Sequence, residues 1–355
     1  SKLVVIIDEA QFVAKRDASF MEAVAKLKKH KLYPGPVLII LATSSTVWAT
    51  QEAAEQFKGA EMKIESLNFL EVVRHFESLP VAEIVRIYGA IGGVPVYLDK
   101  WDAAKSFKDN ICRLVLTPSG ALYGEADAVI SSELRELSAY STILASIARG
   151  ENKLNDIFHA TGFSRAKISV YLKNLANFNI VEKVVSFETG GWENAKKGVY
   201  QIKDTFVNFW FKFVYPNMSN LYLLSPEEFY DTYIEKELDA YLERYFREVC
   251  TEYLLILNQM GQLPFTIKRV GTWIGKTGRI DIVAQSEDRR SIIGFCNWDK
   301  PMMTMDMCEN MAMAMDQARL TSDDYYLFSA TDFEPALQSY VVRDPRFKLI
   351  NMNEL

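Results

Sequence analysis

A run of five apolar residues, LVVII at positions 3–7, most constrains what this 355-residue chain can fold into. The run is rich in β-branched residues and has no polar alternation, which is typical of a strand buried on both faces of a parallel sheet. A second run, VLIILA at positions 37–42, follows a helical pattern at 18–31. Strand, helix and strand in this order predict an α/β unit with parallel strands.

Composition narrows the class of protein. Hydrophobic residues make up 49% and charged residues 24% of the chain, the balance of a globular protein, which excludes a disordered one. No apolar run approaches the roughly 18 residues of a membrane span, so no membrane partner is expected. The 4 cysteines lack CxxC spacing, predict neither zinc nor disulfides, and fit a cytoplasmic setting. The length predicts two or three domains.

Two acids, Asp8 and Glu9, directly follow the first strand in the Walker B pattern. Open α/β sheets bind ligands at the carboxyl ends of their strands, where Asp8 would hold the Mg²⁺ that accompanies ATP. Glu9 would then act as the general base on the attacking water. The second strand ends in Thr43, Ser44 and Ser45, which would sense the γ-phosphate. The alternative is that the acids only end a strand and cap a helix.

The phosphate-binding half of such a site is missing from the sequence. It requires G-x-x-x-x-G-K-[ST] on an earlier strand-to-helix turn, and the 355 residues contain no such motif. The first 66 residues therefore predict only the second half of a nucleotide-binding core. We expect the full protein to be longer by roughly 100–150 residues, and this chain alone to hydrolyse no ATP.

A winged helix-turn-helix is predicted further along the chain. Helical patterns cover residues 139–148 and 154–160, and Ser164 is the N-cap of a third helix that runs to about residue 177. Apolar residues of this third helix lie on one face. Short strands at 181–187 and 198–202, joined by a Gly-Gly tip at 188–197, form the wing.

Charge favours DNA as a partner of this unit. Residues 141–203 contain nine Lys or Arg and five Asp or Glu, a net charge of +4, within a chain of net charge −6. Side chains of the third helix that would contact phosphates and bases are Ser164, Arg165, Lys167, Ser169 and Lys173. The alternative is a winged helix that serves protein interaction or packing.

The C-terminal part has the pattern of a nuclease core with parts missing. Asp281 lies on a strand, GRIDIVA at 278–284, but the Glu-x-Lys expected on the next strand is replaced by Phe295 and Asn297. Glu248, on a preceding helix, would have to approach Asp281 to complete a Mg²⁺ site. Cleavage is therefore not expected, and a structural or recognition domain is predicted.

Two further patterns predict packing rather than chemistry. The methionines at 302–315 follow a helical pattern, and methionine commonly fills gaps in a core. The aromatic stretch at 206–215 predicts a core between domains rather than a surface for base stacking.

The motifs in this order resemble one family, the archaeal-type AAA+/STAND ATPases that carry a winged helix and a C-terminal PD-(D/E)XK nuclease-like domain. The matching segments are LVVIIDEAQF at 3–12, LIILATSS at 38–45, GGVPVYL at 92–98, the winged helix at 141–203, and GRIDIVA at 278–284 with IIGFCNWDKP at 292–301.

The resemblance implies ATP and Mg²⁺ as cofactors, Asp8 and Glu9 as the metal-binding and catalytic acids, and Pro95 in a lid motif near the nucleotide. One departure is the sequence QFKGA at 56–60, where the family usually has Gly-Arg-Arg, so an arginine finger is not expected. The other departure is the replacement of Glu-x-Lys by Phe295 and Asn297, so nuclease activity is not expected.

The predicted fold class is a multidomain α/β and α+β protein. Its parts are the second half of a P-loop NTPase core (1–66), a helical lid (67–137), the winged helix (138–203), a connecting segment (204–235) and the nuclease-like domain (236–355). The predicted function is an ATPase that couples nucleotide state to DNA binding. The alternative is a regulator or scaffold that binds DNA or protein without hydrolysis, and a protein partner or self-association remains open.

Overall fold

The computed structural model describes residues 2–29, 35–45, 47–57, 59–131, 134, 136–187, 198–275 and 278–354. The chain is a mixed α/β protein with many helices and a mixed five-stranded sheet. The predicted hairpin tip at 188–197 and Lys58 of the predicted QFKGA stretch lie outside the described residues. Within these ranges, no helix combines the length and apolar character needed to cross a lipid bilayer.

The N-terminal part is built on a two-stranded parallel sheet. Its elements are β1 (Leu3–Ile7), α1 (Ala10–Arg16), α2 (Phe20–Lys29), β2 (Val37–Leu41), a π-helical segment (Trp48–Ala53) and α3 (Ala54–Phe57). The predicted strands are confirmed, and Ile7 pairs with Leu41 where both end.

The predicted burial of β1 on both faces is wrong. Side chains alternate along a strand, and the face that carries Val4 and Ile6 exposes 53% and 65% of these residues. Their neighbours Leu38 and Ile40 on β2 are also exposed, while the opposite face, with Val5 and Ile7, is half-buried. An apolar sheet face is therefore left open to solvent.

A helical region follows. Its elements are α4 (Phe69–His75), α5 (Val81–Ile91), α6 (Pro95–Leu98), α7 (Phe107–Ile111) with a π-helical continuation (Cys112–Leu116), and α8 (Glu125–Ser131). Asn68 and Glu71 form a capping box at the start of α4, satisfying two of the backbone amides that a helix leaves free. Leu67 N donates to Gly93 O at 2.8 Å, which joins the entry of α4 to the GGVPVYL segment.

The next part is a helix–hairpin unit of three helices and two antiparallel strands. Its elements are α9 (Leu137–Ala148), α10 (Leu154–Thr161), α11 (Arg165–Asn177), β3 (Val181–Val184) and β4 (Val199–Ile202). The three helices agree with the sequence prediction, including the cap, because Ser164 Oγ accepts the backbone N–H of Lys167 at 3.2 Å. The first strand ends three residues earlier than predicted.

The aromatic segment and a long helix form the centre of the molecule. The elements are α12 (Thr205–Phe209), a π-helical turn (Trp210–Val214), a 3₁₀ turn (Tyr215–Asn217), α13 (Met218–Leu221), α14 (Pro226–Tyr233) and α15 (Glu235–Gln259). Phe206, Phe209, Trp210 and Phe213 are buried, so the prediction that this stretch is core is confirmed.

The C-terminal part is the five-stranded sheet, in the order β11-β9-β7-β6-β5. Its elements are β5 (Arg269–Ile274), β6 (Arg279–Gln285), β7 (Ser291–Asn297), β8 (Met302–Met303), α16 (Met305–Ala318), β9 (Asp324–Ser329), β10 (Asp332–Phe333), α17 (Pro335–Arg343), β11 (Phe347–Asn351) and a 3₁₀ turn (Met352–Glu354). Strands β5, β6 and β7 are antiparallel, whereas β7, β9 and β11 are parallel. Met311 and Met315 of α16 are buried, as predicted for a methionine-rich core helix.

Helix α15 joins these parts. Helix α5 packs closely against α15 at Gly89, where an added Cβ would lie 2.4 Å from Leu242 Cδ2. Arg244 Nη1 donates to the carbonyl of Ile202 on β4 at 2.8 Å, and Trp298 Nε1 donates to Asp239 at 3.1 Å. The buried apolar residues around α15 form one continuous core that extends from the helical region to the C-terminal sheet.

Candidate functional site

The acids after β1 and the hydroxyl residues after β2 meet at one edge of the N-terminal sheet. Glu9 Oε2 accepts hydrogen bonds from Ser44 Oγ at 2.9 Å and from Ser44 N at 3.2 Å. Glu9 has left-handed backbone angles, with φ of 48°, which are costly for a residue with a side chain. Asp8 is exposed, and its Oδ1 accepts the backbone N–H of Glu9 at 2.9 Å.

Gln11 completes this site, and the sequence reasoning missed it. Its Nε2 donates to Glu9 Oε2 at 2.5 Å and to Ser44 Oγ at 3.1 Å, while its Oε1 accepts from Thr43 Oγ1 at 2.6 Å. Gln11 is 1% exposed. Hydrogen bonds from Gln11 and then Ser44 lower the pKa of Glu9, because they favour its charged form. The sequence signal that could have indicated Gln11 is its position, because this amide side chain follows the acid pair by two residues at the start of α1.

Ser45 and Pro95, also predicted to sense the nucleotide, form no hydrogen bond or ion pair with Glu9 in the described residues. Ser45 is buried, its backbone N–H donates to Thr43 Oγ1 at 3.0 Å, and its Oγ accepts from Trp48 N at 3.4 Å, so it braces the loop after β2. Pro95 is the first residue of α6 and is exposed. In the part of the chain that the structure describes, no hydrogen bond or ion pair joins the α6 start to the acid site.

The basic side chains of α11 differ in how firmly they are held. Arg165 Nε donates to Asn155 Oδ1 at 3.1 Å, and its guanidinium lies 4.3 Å from the ring centroid of Phe158. Lys167 Nζ lies 4.6 Å from the ring of Phe163 and 3.9 Å from a carboxylate oxygen of Glu136.

Ser169 and Lys173, further along α11, are exposed. Ser164 is used as the helix cap. The helix therefore presents oriented cations at its start and an exposed lysine two turns later.

The segment after β3, where the chain enters the hairpin tip, is docked on the C-terminal sheet. Ser186 Oγ accepts the backbone N–H of Ile274, on the outer edge of β5, at 3.1 Å. Phe187 is 9% exposed and packs with Trp273 in the core of that sheet. No pattern in the sequence predicted this contact, which joins residues 88 positions apart.

Asp281 on β6 is surrounded by cations from the chain itself. Its Oδ1 lies 3.3 Å from Arg279 Nε and 3.7 Å from Arg247 Nε, and its Oδ2 accepts from Cys296 N at 3.1 Å. The side chain is 13% exposed. Guanidinium groups thus compensate the charge that a divalent cation would neutralise.

Glu248, which would have to approach Asp281 to complete a Mg²⁺ site, is instead bound within its own helix. Its Oε1 accepts from Arg244 Nε at 2.8 Å, one turn back along α15. Successive helical residues differ by about 100° in direction, so Arg247 faces the sheet in its place. Asn297, at the missing lysine position, is buried and donates to Ser329 Oγ at 3.1 Å. Among the described residues, no three metal-ligating side chains converge.

Comparison with known proteins finds similarity to uncharacterised proteins. Residues 210–313 match the model of the family DUF234, described as archaeal and bacterial proteins of unknown function. The chain is 28% identical over 303 residues to the uncharacterized protein MJECL04 of Methanocaldococcus jannaschii, covering 83% of this chain and 67% of that protein. The crystal structure of protein VC1899 from Vibrio cholerae aligns with 99% of this chain and 88% of its own, at 11% identity and a TM-score of 0.25, which establishes no shared fold.

The family match falls on the centre of the molecule. It covers the buried aromatic turn, α15, strands β5 to β7 and most of α16. It therefore includes Arg247, Asp281 and the β5 edge against which the hairpin docks. The residues of the acid site and of α11 lie outside the matched segment.

Proposed function

We propose that this protein binds ATP with Mg²⁺ at the carboxyl ends of β1 and β2 and that it binds DNA through the helix–hairpin unit. The observation that carries the nucleotide part is the contact between Glu9 and Ser44, which brings two predicted groups to one sheet edge. Parallel sheets bind phosphates at this edge.

The residues present are suited to a hydrated Mg²⁺. Magnesium keeps several waters and takes only one or two carboxylates from a nucleotide-binding protein, the remaining ligands being phosphate oxygens. Asp8 is exposed. Its Oδ1 accepts the backbone N–H of Glu9, and its Oδ2 would be available to bind the ion. Bound Mg²⁺ would neutralise charge that develops on the phosphates.

The roles of the other side chains follow from their contacts. Glu9 would accept a proton from the attacking water, although the hydrogen bonds that lower its pKa also make it a weaker base. Ser44 and Thr43 would hydrogen-bond phosphate oxygens. Gln11 holds Glu9 and Ser44 together and would fix the direction of the carboxylate.

The exposed apolar face of the N-terminal sheet fits the same proposal. Nucleotide-binding sheets of this type have helices on both faces and several parallel strands. Further strands and helices of the core would cover Val4, Ile6, Leu38 and Ile40. The G-x-x-x-x-G-K-[ST] loop that the 355 residues lack would belong to that remaining part.

DNA is the partner that the charge distribution supports. The segment that contains α11 has a net charge of +4, and phosphate contacts from lysine and arginine dominate the affinity of DNA-binding proteins. Arg165 is oriented by a neutral amide and an aromatic ring, so its charge is available to a phosphate. Nuclease activity is not proposed, because Asp281 is neutralised by Arg247 and Arg279.

The nucleotide part is tested by ATP titration of the whole natural protein in which this sequence occurs. We expect Asp8→Asn to weaken the Mg²⁺-dependent binding of ATP, and Glu9→Gln to leave binding intact while abolishing hydrolysis. The matched control is Glu22→Gln on α2, an exposed acid paired with Lys26. Absence of ATP binding, or binding indifferent to Asp8→Asn, would refute the nucleotide site.

A second candidate is a regulator that binds DNA or protein and hydrolyses nothing. It is favoured by one observation, that the carboxylate of Glu9 already accepts hydrogen bonds from both Gln11 and Ser44. Under this alternative the acid site is a structural brace. Glu9→Gln and Gln11→Ala would then lower the free energy of unfolding without changing any nucleotide-dependent property.

A further inference from the structure

Strand β5 is the outer strand of the C-terminal sheet, and the hairpin of the helix–hairpin unit covers part of its free edge. Ser186 binds the amide of Ile274, and Phe187 inserts beside Gly271, where an added Cβ would lie 3.3 Å from the phenyl ring. Edge strands expose unpaired amides that proteins cover or pair. The hairpin and the sheet are thus held together at the point where the chain enters the hairpin tip.

Arg269, the first residue of β5, lies at this junction. Its guanidinium is 5.1 Å from the ring centroid of Phe187, and its Nη2 donates to Gln285 Oε1 at 2.5 Å. The residue is exposed. Within the described ranges, no carboxylate is paired with it. An aromatic ring and a neutral amide orient this cation without compensating its charge.

The neighbouring basic residues do not share this property. Lys268 is exposed but lines a shallow depression together with Glu287, Asp288 and Arg290. Arg290 Nε donates to Asp288 at 2.9 Å, and Arg279 is paired with Asp281. Among the described residues at this junction, Arg269 is oriented by Phe187 and Gln285 and has no carboxylate partner.

A guanidinium fixed in this way is suited to a phosphate. It has five N–H donors in a planar fork, of which one is used here, and it binds phosphate oxygens in pairs. Phosphate contacts position a protein on DNA without reading sequence. A cation beside the hairpin would add one phosphate contact to those proposed for α11.

We propose that Arg269, held by Phe187 beside the end of β3, binds a phosphate of the DNA backbone, so that the C-terminal sheet shares the DNA-binding surface with α11. This inference rests on the proposed DNA binding by the helix–hairpin unit. It assigns a direct part in recognition to the sheet, whose Asp281 is paired with Arg247 and Arg279.

The test measures binding of a labelled 30-base-pair duplex to the full chain at several salt concentrations. Each lost phosphate contact reduces the slope of log affinity against log salt by about 0.9. We expect Arg269→Gln to reduce the slope by about 0.9 on two duplexes of unrelated sequence. Between 50 and 200 mM salt this corresponds to roughly a 3.5-fold smaller loss of affinity. Arg269→Lys, which keeps the charge, should keep most of the slope.

Arg346 provides the matched control. Its guanidinium also lies over an aromatic ring, 5.8 Å from that of Tyr325, but on the opposite edge of the same sheet and paired with Asp344 at 2.7 Å. Arg346→Gln removes the same charge and should leave the slope unchanged. A thermal melt of each variant checks that Phe187 and its surroundings remain folded.

The outcomes separate this inference from the proposed function. If the combined change of Arg165, Lys167 and Lys173 to alanine weakens binding but Arg269→Gln behaves like Arg346→Gln, the sheet has no part in binding and the inference is wrong. If the unchanged protein binds neither duplex, the proposed function fails and this inference fails with it. A loss of slope for both Arg269→Gln and Arg346→Gln also overturns the inference, because it indicates an unspecific effect of net charge.

Discussion

The carboxylate of Glu252 accepts a hydrogen bond from the backbone amide of Phe69 at 3.1 Å, although 183 residues separate them in sequence. It also accepts from the amide of Leu70 at 3.2 Å, so a side chain of α15 caps the start of α4. We expect Glu252→Ala to lower the free energy of unfolding by about 1.5–3 kcal/mol, the value of hydrogen bonds to a charged group. Urea denaturation measures this change.

Glu237→Ala is the control for that prediction. Glu237 lies on the same helix and pairs with Lys212, but its side chain is 61% exposed. Surface ion pairs contribute little, about 0–1 kcal/mol. Equal destabilisation by the two substitutions would show that the cap contributes nothing beyond an ordinary surface charge.

Gly93 is required by the close approach of another backbone. A Cβ at this position would lie 1.8 Å from the carbonyl oxygen of Leu67. We expect Gly93→Ala to destabilise the protein by about 1–3 kcal/mol, as overpacking does. Gly59→Ala, where a Cβ meets no atom within 4 Å, should be neutral or slightly stabilising in the same thermal melts. An unchanged melting temperature for Gly93→Ala would contradict this prediction, because it would mean that the backbone at Leu67 can move away without loss of stability.

Asp204 predicts a pH-dependent effect. It caps α12 by accepting the backbone N–H of Val207 at 2.8 Å, but burial raises its pKa. A raised pKa means that the folded protein binds this proton more tightly than the unfolded chain does. Protonation of Asp204 therefore stabilises the folded protein. This contribution to the free energy of unfolding is complete below the unfolded pKa of about 3.9 and is lost as pH rises through the folded pKa.

Asp204→Asn keeps the cap and removes the buried charge. We expect it to match or exceed the stability of the unchanged protein at pH 7, while its advantage shrinks toward pH 4. Asp204→Ala should lose about 1 kcal/mol through the missing cap. Urea titrations at both pH values measure these differences. An Asp204→Asn protein that is clearly less stable at pH 7 would show that hydrogen bonds to the charged form outweigh burial.

Removal of Asp281 should leave two cations without their partner. We expect Asp281→Ala to lower the free energy of unfolding by about 2–3 kcal/mol, below the roughly 3–5 kcal/mol of a fully buried pair. The lower value reflects Arg279, whose side chain is 43% exposed. Added Mg²⁺ should shift the melting temperature of both proteins equally. A Mg²⁺-dependent rise confined to the unchanged protein would instead reveal a metal bound by Asp281.

Short-range patterns predicted the elements well, for physical reasons. The strands at 3–7 and 37–41 follow from continuous β-branched runs, and the start of α11 follows from Ser164 as a cap. The meeting of Glu9 and Ser44 could be predicted too, because parallel strands end at a common edge. The strands and the cap depend on a few neighbouring residues, and the meeting of Glu9 and Ser44 depends only on the parallel pairing of two adjacent strands.

Relationships across the chain could not be predicted from the sequence. Whether Arg247 or Glu248 faces Asp281 depends on the rotation of α15 against the sheet, which one sequence does not define. The docking of Phe187 on β5 requires knowledge of how two parts pack. The exposure of Val4 and Ile6 is likewise a property of what surrounds the sheet rather than of the strand.

The 25-residue helix α15 has a consequence for how this molecule can be divided. Because its side chains complete the core of the helical region, contact β4 and cover the C-terminal sheet, cutting the chain on either side of it would expose apolar surface on both fragments. Isolated pieces would therefore be prone to aggregation.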